Sequence, residues 1–465
     1  MTGLVSQHTR RTSADKGNNG LSRGDRNRNA RLAALRTVLP RDHAILGIDL
    51  AQSRQAAVLA DHDSRVLARW RPRCSPWMLG ELLDRALRKA LAAGYSGITV
   101  ACEPTGHRWM VIAQLAAGRG MAMVCVQPLV VARAREAEDY TRGKSDDRDA
   151  VLIARLAAQL HCYLPEQAGQ AWARLRHLDA RRSRLIDSST MCLQQLRDLL
   201  EVAWPAVLPA AAKPLESATW LACLQVALER GDGDLGAVHA MGRDAFTAAA
   251  RAGLGDFGAR RVCRRIAAAV YAALADGAGV AAQRPGALER AFSVLGDWKM
   301  VRGELAGVNA RMLQALDVLG VLEVAGSIPG VPALQVAAIL AETGDPSRFA
   351  TARAMVKHAG LAPCENSSGN HAGEAAISRR GRPALRLAAW RAVWGALRHN
   401  PIYAARHQAL TGRAKDPLTD QQARAAIAAA LIRQIHAIIT RRIPWDADIA
   451  AGRRRPSQEA TAQAA

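Results

Sequence analysis

The sequence has few aromatic residues and no cysteine cluster of the kind that binds zinc. Only 4% of the 465 residues are aromatic although 49% are apolar, and Ala and Leu dominate the apolar set. Such a composition favours helices over sheet sandwiches. The eight cysteines are scattered, without a C-x-x-C pair or a histidine at zinc spacing. This spread argues against a zinc site and is typical of buried thiols in a reducing cytoplasm.

Long apolar runs are also missing from the sequence. No run reaches the length of a transmembrane segment, and the first residues lack the apolar stretch of a signal peptide. A cytoplasmic protein is therefore expected. A chain of 465 residues is long enough for two or three domains, each with its own core.

Acidic residues are too few to balance the basic ones. The chain has 63 Lys and Arg against 41 Asp and Glu, which leaves a formal net charge of +22. A surplus of this size predicts a polyanionic partner, because each neutralised phosphate releases counterions. A GC-rich genome, which inflates Arg and Ala codons, is the alternative explanation. The charge therefore predicts nucleic-acid binding.

Residues 1–43 and 44–165 differ sharply in pattern. The first segment is rich in Arg, Asn and Ser and is predicted to be a disordered basic arm. The second begins with three strand-like runs separated by polar turns, which predict an antiparallel meander, and continues with alternating helices and strands. This element order is that of the ribonuclease-H-like α/β fold. The runs are Ala44–Leu50, Gln55–Ala60 and Arg65–Trp70, then Trp77–Ala93, Gly97–Cys102, Trp109–Ala117, Met121–Val126 and Pro128–Leu160.

The remainder of the chain is predicted to be mainly helical. Two long helices, at 172–203 and 285–319, lie within residues 170–325 and could pair antiparallel as a coiled coil, although a helical-bundle core would give the same spacing. A separate C-terminal domain is predicted over residues 326–415. It opens with G-S-I-P-G-V-P, which resembles half of a helix-hairpin-helix unit able to meet a DNA phosphate; a plain helix start is the alternative. A terminal helix over 416–452 and a disordered tail over 453–465 complete the prediction.

Four acidic residues form an ordered set in the α/β segment. Asp49 ends the strand A-I-L-G-I-D-L, and Glu103 ends the strand preceding P-T-G. Asp146 and Asp149, from K-S-D-D-R-D-A, share one face at the start of a helix, whereas Asp147 points elsewhere. Asp49 could cap a turn and Asp146 could favour a helix N-terminus. Four convergent carboxylates nevertheless need cations, and the set predicts one or two magnesium ions, which when about 4 Å apart can assist phosphodiester cleavage.

A second candidate site lies far downstream, in a polar loop followed by a basic turn. Ser367 and Ser368 precede Gly369. A serine beside glycine is usually only turn chemistry, and a nucleophilic serine needs a base that the residues alone do not reveal. Basic residues flank both candidate sites and are predicted to contact phosphates: Lys144, Arg148, Arg379, Arg380, Arg382 and Arg386.

Taken together, these motifs resemble the IS110 insertion-sequence transposases, in their IS-eleven-eleven branch. The resemblance runs from Ala44 to about Arg413 and rests on six markers. They are G-I-D-L, E-P-T-G, K-S-D-D-R-D-A, I-P-G-V, G-L-A-P, and S-S-G followed by I-S-R-R-G-R-P-A-L-R. The basic arm lies outside the common pattern.

The resemblance implies a RuvC-like domain with a DEDD metal site, joined to a C-terminal transposase domain with a nucleophilic serine. The DEDD set falls on Asp49, Glu103, Asp146 and Asp149. The serine falls on Ser368, with Ser367 as a one-residue ambiguity. The resemblance further implies tetramers assembled through the coiled coil, composite active sites, and a structured guide RNA that pairs with donor and target DNA.

Three other functions could account for parts of this pattern. A hydrolytic junction-resolving nuclease would use the same carboxylates without the serine. An inactive DNA-binding protein derived from a transposase would keep the fold alone. An actin-like ATPase is disfavoured, because L-A-Q-S-R follows Asp49 where a phosphate-binding loop needs Gly and Ser or Thr.

Overall fold

The computed structural model describes residues 21–104, 106–138, 145–166, 169–231, 233–364, 367–368, 371–372 and 376–453. The chain divides into two compact units, Met1–Gln167 and Ala168–Ala465.

The first unit is built on a five-stranded sheet with the order β3-β2-β1-β4-β5. β1 pairs antiparallel with β2, and β2 with β3, while β1, β4 and β5 run parallel. The predicted meander and the parallel strands that follow it are therefore confirmed. The strands are β1 (His43–Asp49), β2 (Ala56–Ala60), β3 (Val66–Trp70), β4 (Gly97–Cys102) and β5 (Ala122–Cys125).

Helices cover both faces of this sheet. Ile45 and Val124 face one apolar cluster with residues of α1 and α5, whereas Leu46 and Val100 face another with residues of α2 and α3. Burial on both faces explains why β1 and β4 are almost continuously apolar. The helices are α1 (Arg23–Val38), α2 (Pro76–Ala92), α3 (Arg108–Ala117), α4 (Pro128–Glu138) and α5 (Asp146–Ala158).

The structure differs from the predicted arm over residues 1–43. Residues 1–20 lie outside the described residues, but α1 is a helix with a capping box between Ser22 and Asp25. Leu35 is 4% exposed and Leu39 is fully buried in the core of the first unit. Two well-placed leucines and a good cap suffice to fix this segment, although its composition is mostly polar.

The second unit is mainly helical and is organised around two long antiparallel helices. Arg181 pairs with Glu304 at 2.7 Å, and Arg174 donates to Gln314 at 3.1 Å. Later residues of α6 therefore contact earlier residues of α11, so the two helices run in opposite directions. This agrees with the predicted helix pair. The helices are α6 (Gln170–Ala203), α7 (Ala218–Gly231), α8 (Leu235–Ala240), α9 (Arg243–Ala252), α10 (Arg264–Ala273), α11 (Arg284–Val318), α12 (Leu322–Ala325), α13 (Ala333–Thr343), α14 (Ala352–His358), α15 (Pro383–His399), α16 (Pro401–Thr411), α17 (Asp420–Arg441) and α18 (Ala447–Ala450).

Two apolar cores form along the helix pair. One contains residues of α6, α11 and α13–α17, so the predicted boundaries at 325 and 415 fall inside a shared core. The other joins the far ends of α6 and α11 to residues 205–283, which we call the helical head. The sequence could not reveal this sharing, because helical periodicity shows that a face is apolar but not which partner covers it.

Within the described residues, only α17 is long and apolar enough to meet the length and composition of a membrane span. More than half of its apolar stretch is buried in the protein. Ile427, Leu431 and Ile435 are fully buried in the first of the two helical cores. α17 is therefore a core helix of the second unit.

Candidate active site

The ends of β1 and β4 bring Asp49 and Glu103 together. The parallel register pairs Ile48 with Cys102, so each acid is the next residue beyond a paired position. Neighbouring strands lie about 4.8 Å apart. Both acids are partly exposed at this edge, whereas the strand residues before them are buried. The structure thus confirms that the two strand-end acids are neighbours.

Gly47 allows α5 to approach this strand end. A Cβ atom at Gly47 would lie 2.3 Å from the carbonyl oxygen of Ala150 and 2.8 Å from the amide nitrogen of Ala154. Only glycine permits so close a helix–strand contact. The contact holds the first turn of α5, including Asp149, beside the end of β1.

Asp149 forms a bidentate ion pair with Arg135 of α4. The Arg135 Nε and Nη2 atoms donate to the two carboxylate oxygens at 2.7 Å each, and only 5% of the Asp149 side chain is exposed. The bond with Asp149 raises the pKa of Arg135, and the negative charges of Glu103 and Asp49 raise it further. The Arg135 guanidinium therefore interacts electrostatically with three of the four predicted carboxylates. Sequence reasoning missed Arg135, because nothing distinguishes it from neighbouring arginines such as Arg133.

Asp146 lies on the outer side of the same helix start. It is exposed, and its charge helps to raise the pKa of Arg71, whose main partner is Asp147. Asp147 thus points away from Asp149, as predicted, but Asp146 lies on the same outer side near Arg71 and is not brought together with Asp49, Glu103 and Asp149. Arg148 is exposed, and Lys144 lies outside the described residues.

Among the described residues, no three acidic, His or Cys side chains converge tightly enough to hold a metal ion as they stand. Arg135 instead supplies the local positive charge. The donor set still fits a divalent cation, since Asp49, Glu103 and Asp149 offer the hard oxygen ligands that such ions prefer. A cation bound by Asp149 would compete with Arg135 for its carboxylate oxygens.

The candidate serines lie in a narrow hairpin of the second unit. Ser367–Ser368 form the short strand β7, whose register pairs Ser368 with His371 of β8 (His371–Ala372). A second two-stranded pair is formed by β6 (Pro363–Cys364) and β9 (Ala376–Ile377), which are antiparallel. Of the two β7 residues, Ser368 is therefore the one whose paired partner is nearer in sequence.

The basic turn after this hairpin is tied down by two of its arginines. Arg382 pairs with Glu342 at 3.0 Å, and Arg386 donates to the backbone carbonyl of Arg379 at 3.3 Å. Arg379 has a φ of 51°, a left-handed conformation. Arg379 and Arg380 are exposed, so these two are the better placed for phosphate contacts.

Buried titratable groups lie beneath the turn. Burial, followed by the charge of Glu342, raises the pKa of Asp179 to about 6. Burial, followed by the charge of Arg348, lowers the pKa of His358 to about 4. The carbonyl of His358 accepts a bond from the amide of Arg382 at 2.9 Å, which ties the basic turn to the end of α14.

Comparison with known proteins shows what the two regions are similar to. A family model for the IS110 DEDD transposases matches residues 46–205. A second model, for transposases of the IS116/IS110/IS902 family, matches residues 322–408. A mini-circle protein of Streptomyces coelicolor, whose name assigns it as the transposase for IS117, is 28% identical over 347 residues, covering 70% of this chain and 77% of its own. Residues 206–321, which include most of the helical head, are covered by neither family model.

Proposed function

Because the chain belongs to the IS110 family and is a DNA transposase, we propose that it cuts and rejoins DNA with two half-sites. One half is the carboxylate set Asp49, Glu103, Asp146 and Asp149; the other is Ser368. The observation that carries the proposal is that the ends of β1 and β4 and the first turn of α5 place Asp49, Glu103 and Asp149 at one edge of the sheet, within the region matched by the DEDD family.

The fold of the first unit supports the proposed catalytic role. An antiparallel meander followed by two parallel strands, in the order β3-β2-β1-β4-β5, is the arrangement expected of a ribonuclease-H-like, RuvC-like domain. In such a sheet the acids at the ends of the two central strands and at a nearby helix start face one edge. Asp49, Glu103 and Asp149 follow this arrangement.

A DEDD domain implies a divalent metal, and we propose magnesium, with two ions per site. Asp49, Glu103 and Asp149 would hold it, with Asp146 as an outer ligand. Bound there, the metal would supply Lewis-acid stabilisation of charge on the phosphate oxygens. Arg135 keeps the carboxylates together before the metal binds, since its guanidinium neutralises part of their mutual repulsion.

Ser368 would act as the nucleophile. Its hydroxyl oxygen bonds to the phosphorus of the DNA backbone and loses its proton, while the bond from phosphorus to the leaving deoxyribose oxygen breaks and that oxygen takes a proton. Attack by a hydroxyl of the second DNA strand reverses this exchange, so the phosphodiester is conserved without an external energy source. Ser367, its neighbour in β7, is the alternative nucleophile.

Assembly and guidance follow from the family resemblance. We propose that chains associate through α6 and α11 into dimers or tetramers, and that a structured RNA encoded in the element guides the complex to donor and target DNA. Exposed apolar side chains support association: Met191 on α6 is 67% exposed, and Met300 and Phe292 on α11 are 69% and 44% exposed. Composite sites would then join the carboxylates of one subunit to the serine of another. The cytoplasmic location expected from the sequence fits this role.

The carboxylate half can be tested in cells that carry the complete element with its flanking DNA on a plasmid. Recombination junctions are amplified and counted for the wild-type chain and for Asp49→Ala, Glu103→Ala and Asp149→Ala. We expect a loss of at least about a hundredfold in each variant, because the phosphodiester step would lose a metal ligand.

Asp147→Ala is the matched control, since Asp147 lies in the same motif but pairs with Arg71 on the outer side. It should keep junction formation within a fewfold of wild type. Undiminished junctions in the Asp49 or Glu103 variant would refute the metal-site assignment. Junctions lost in all variants including Asp147→Ala would show that the motif serves folding instead.

A further inference from the structure

The helical head carries a groove rich in arginine that lies outside both proposed half-sites. The groove has a volume of about 600 Å³ and lies between α9 and α10. The polar side chains that line it are Arg243, Asp244, Thr247, Arg251, Arg264 and Arg265.

The two helices present these side chains in a regular array. On α9, Arg243, Thr247 and Arg251 follow one another at four-residue intervals and so share one face, with a span of about 12 Å. Arg264 and Arg265 open the first turn of α10. A row on one helix thus faces a pair at the start of the next.

The groove keeps a positive charge that its surroundings do not neutralise. Arg243 approaches Asp244 at 4.0 Å, but both side chains are largely exposed, and such contacts contribute little. Within the described part of the chain no ion pair involves Arg251, Arg264 or Arg265. Four positive charges against one negative leave the groove with a formal charge of +3.

α9 and α10 are held in place by their apolar faces and not by the arginines. Phe246 and Ala250 on the opposite face of α9 are fully buried, as is Val270 of α10, and Tyr271 bonds to the backbone carbonyl of His239 at 2.7 Å. The apolar faces therefore fix the helices, while the basic residues remain exposed at fixed positions.

We propose that this groove binds the sugar–phosphate backbone of double-stranded DNA, as a contact separate from the chemistry. Guanidinium groups form bidentate bonds with phosphates, which suits four arginines held on rigid helices. The lining contains no aromatic side chain among the described residues, so it lacks the stacking surfaces on which single-stranded nucleic acid depends. The transposase activity itself supplies duplex DNA as the ligand.

Fluorescence anisotropy with the full-length protein tests this proposal. The probe is a labelled duplex of about 30 base pairs and arbitrary sequence, measured in EDTA over a range of salt concentrations. The triple variant Arg251→Gln, Arg264→Gln and Arg265→Gln should bind about tenfold more weakly. The slope of log K against log salt should fall by about 2 to 3, because each lost phosphate contact removes about 0.9 from it.

A triple variant of Arg230, Arg413 and Arg441 to Gln is the control, because it removes the same charge from exposed positions outside the groove. It should retain most of the affinity, and circular dichroism should show both variants folded. Equal losses in the two variants would overturn the proposal by showing a general charge effect. A loss confined to single-stranded or duplex RNA probes would overturn it by assigning the groove to RNA.

Discussion

Arg135 and Asp149 are joined by two hydrogen bonds of 2.7 Å each, at the edge of the sheet where Asp49 and Glu103 also end their strands. Asp149 is almost completely buried, and a buried carboxylate is costly unless it is paired. The first unit therefore carries a cation of its own in its candidate metal site. We propose that a metal ion competes with Arg135 for the Asp149 carboxylate, so that metal binding and the release of Arg135 are coupled.

Replacing Arg135 with Gln should lower the stability of the protein and raise its affinity for a metal ion. Without metal, the variant should unfold at a lower temperature, because Asp149 loses its partner and the acids repel one another; the cost is about 3 kcal/mol. It should also bind Mn²⁺ or Mg²⁺ more tightly than wild type, since no guanidinium competes for the carboxylate. Thermal unfolding in EDTA and calorimetric titration with each ion measure the two effects.

Arg133→Gln is the matched control, because Arg133 lies two residues away on the same helix and is exposed. It should change neither quantity appreciably. Unaltered metal affinity in the Arg135 variant would contradict the coupling, even if that variant were less stable.

Substituting Gly47 with Ala should disrupt the contact between α5 and β1. The new methyl carbon would lie 2.3 Å from the Ala150 carbonyl oxygen, so helix and strand must separate. We expect a loss of about 3 kcal/mol in the free energy of unfolding, within the range typical of overpacked sites. Chemical denaturation of the full chain measures it.

Gly296→Ala provides the comparison for this experiment. Gly296 lies within α11, and a Cβ atom there meets nothing within 4 Å. Because alanine is the better helix former, that variant should be unchanged or slightly more stable. If the two alanine variants proved equally stable, the close helix–strand contact would not be what sets the position of α5.

Asp179→Asn should stabilise the second unit at neutral pH. The pKa of Asp179 is raised to about 6 in the folded chain, against about 3.9 when unfolded. The folded state therefore holds the proton more tightly, and stability falls as pH rises from about 4 to 6. Above pH 6 the ionised Asp179 lowers the free energy of unfolding by at most about 3 kcal/mol. The asparagine variant carries no such charge and avoids this loss.

The stability difference between this variant and wild type should therefore grow from pH 4 to pH 6 and then level off. Denaturant unfolding at half-unit pH steps measures it. Asp317→Asn is a suitable reference, since Asp317 is exposed near the end of α11. A difference that stayed constant with pH would show that Asp179 does not titrate in this window.

The sequence predicted the first unit well because its signals are local. The ends of β1 and β4 and the positions of Asp49 and Glu103 follow from short apolar runs between turns, and parallel pairing then makes the two acids neighbours. Arg135 could not be predicted, because its importance arises from the packing of α4 beside α5 rather than from its own surroundings in sequence. The helical head likewise shows its basic groove only after α9 and α10 are brought together.

The covalent serine step is tested most directly by the yield of recombination junctions from the complete element when Ser368→Ala is compared with Ser367→Ala. Both serines lie in β7, so a purely structural role would be felt in either variant. We expect Ser368→Ala to abolish junctions, whereas Ser367→Ala should retain them. Full recombination by Ser368→Ala would contradict the covalent serine step.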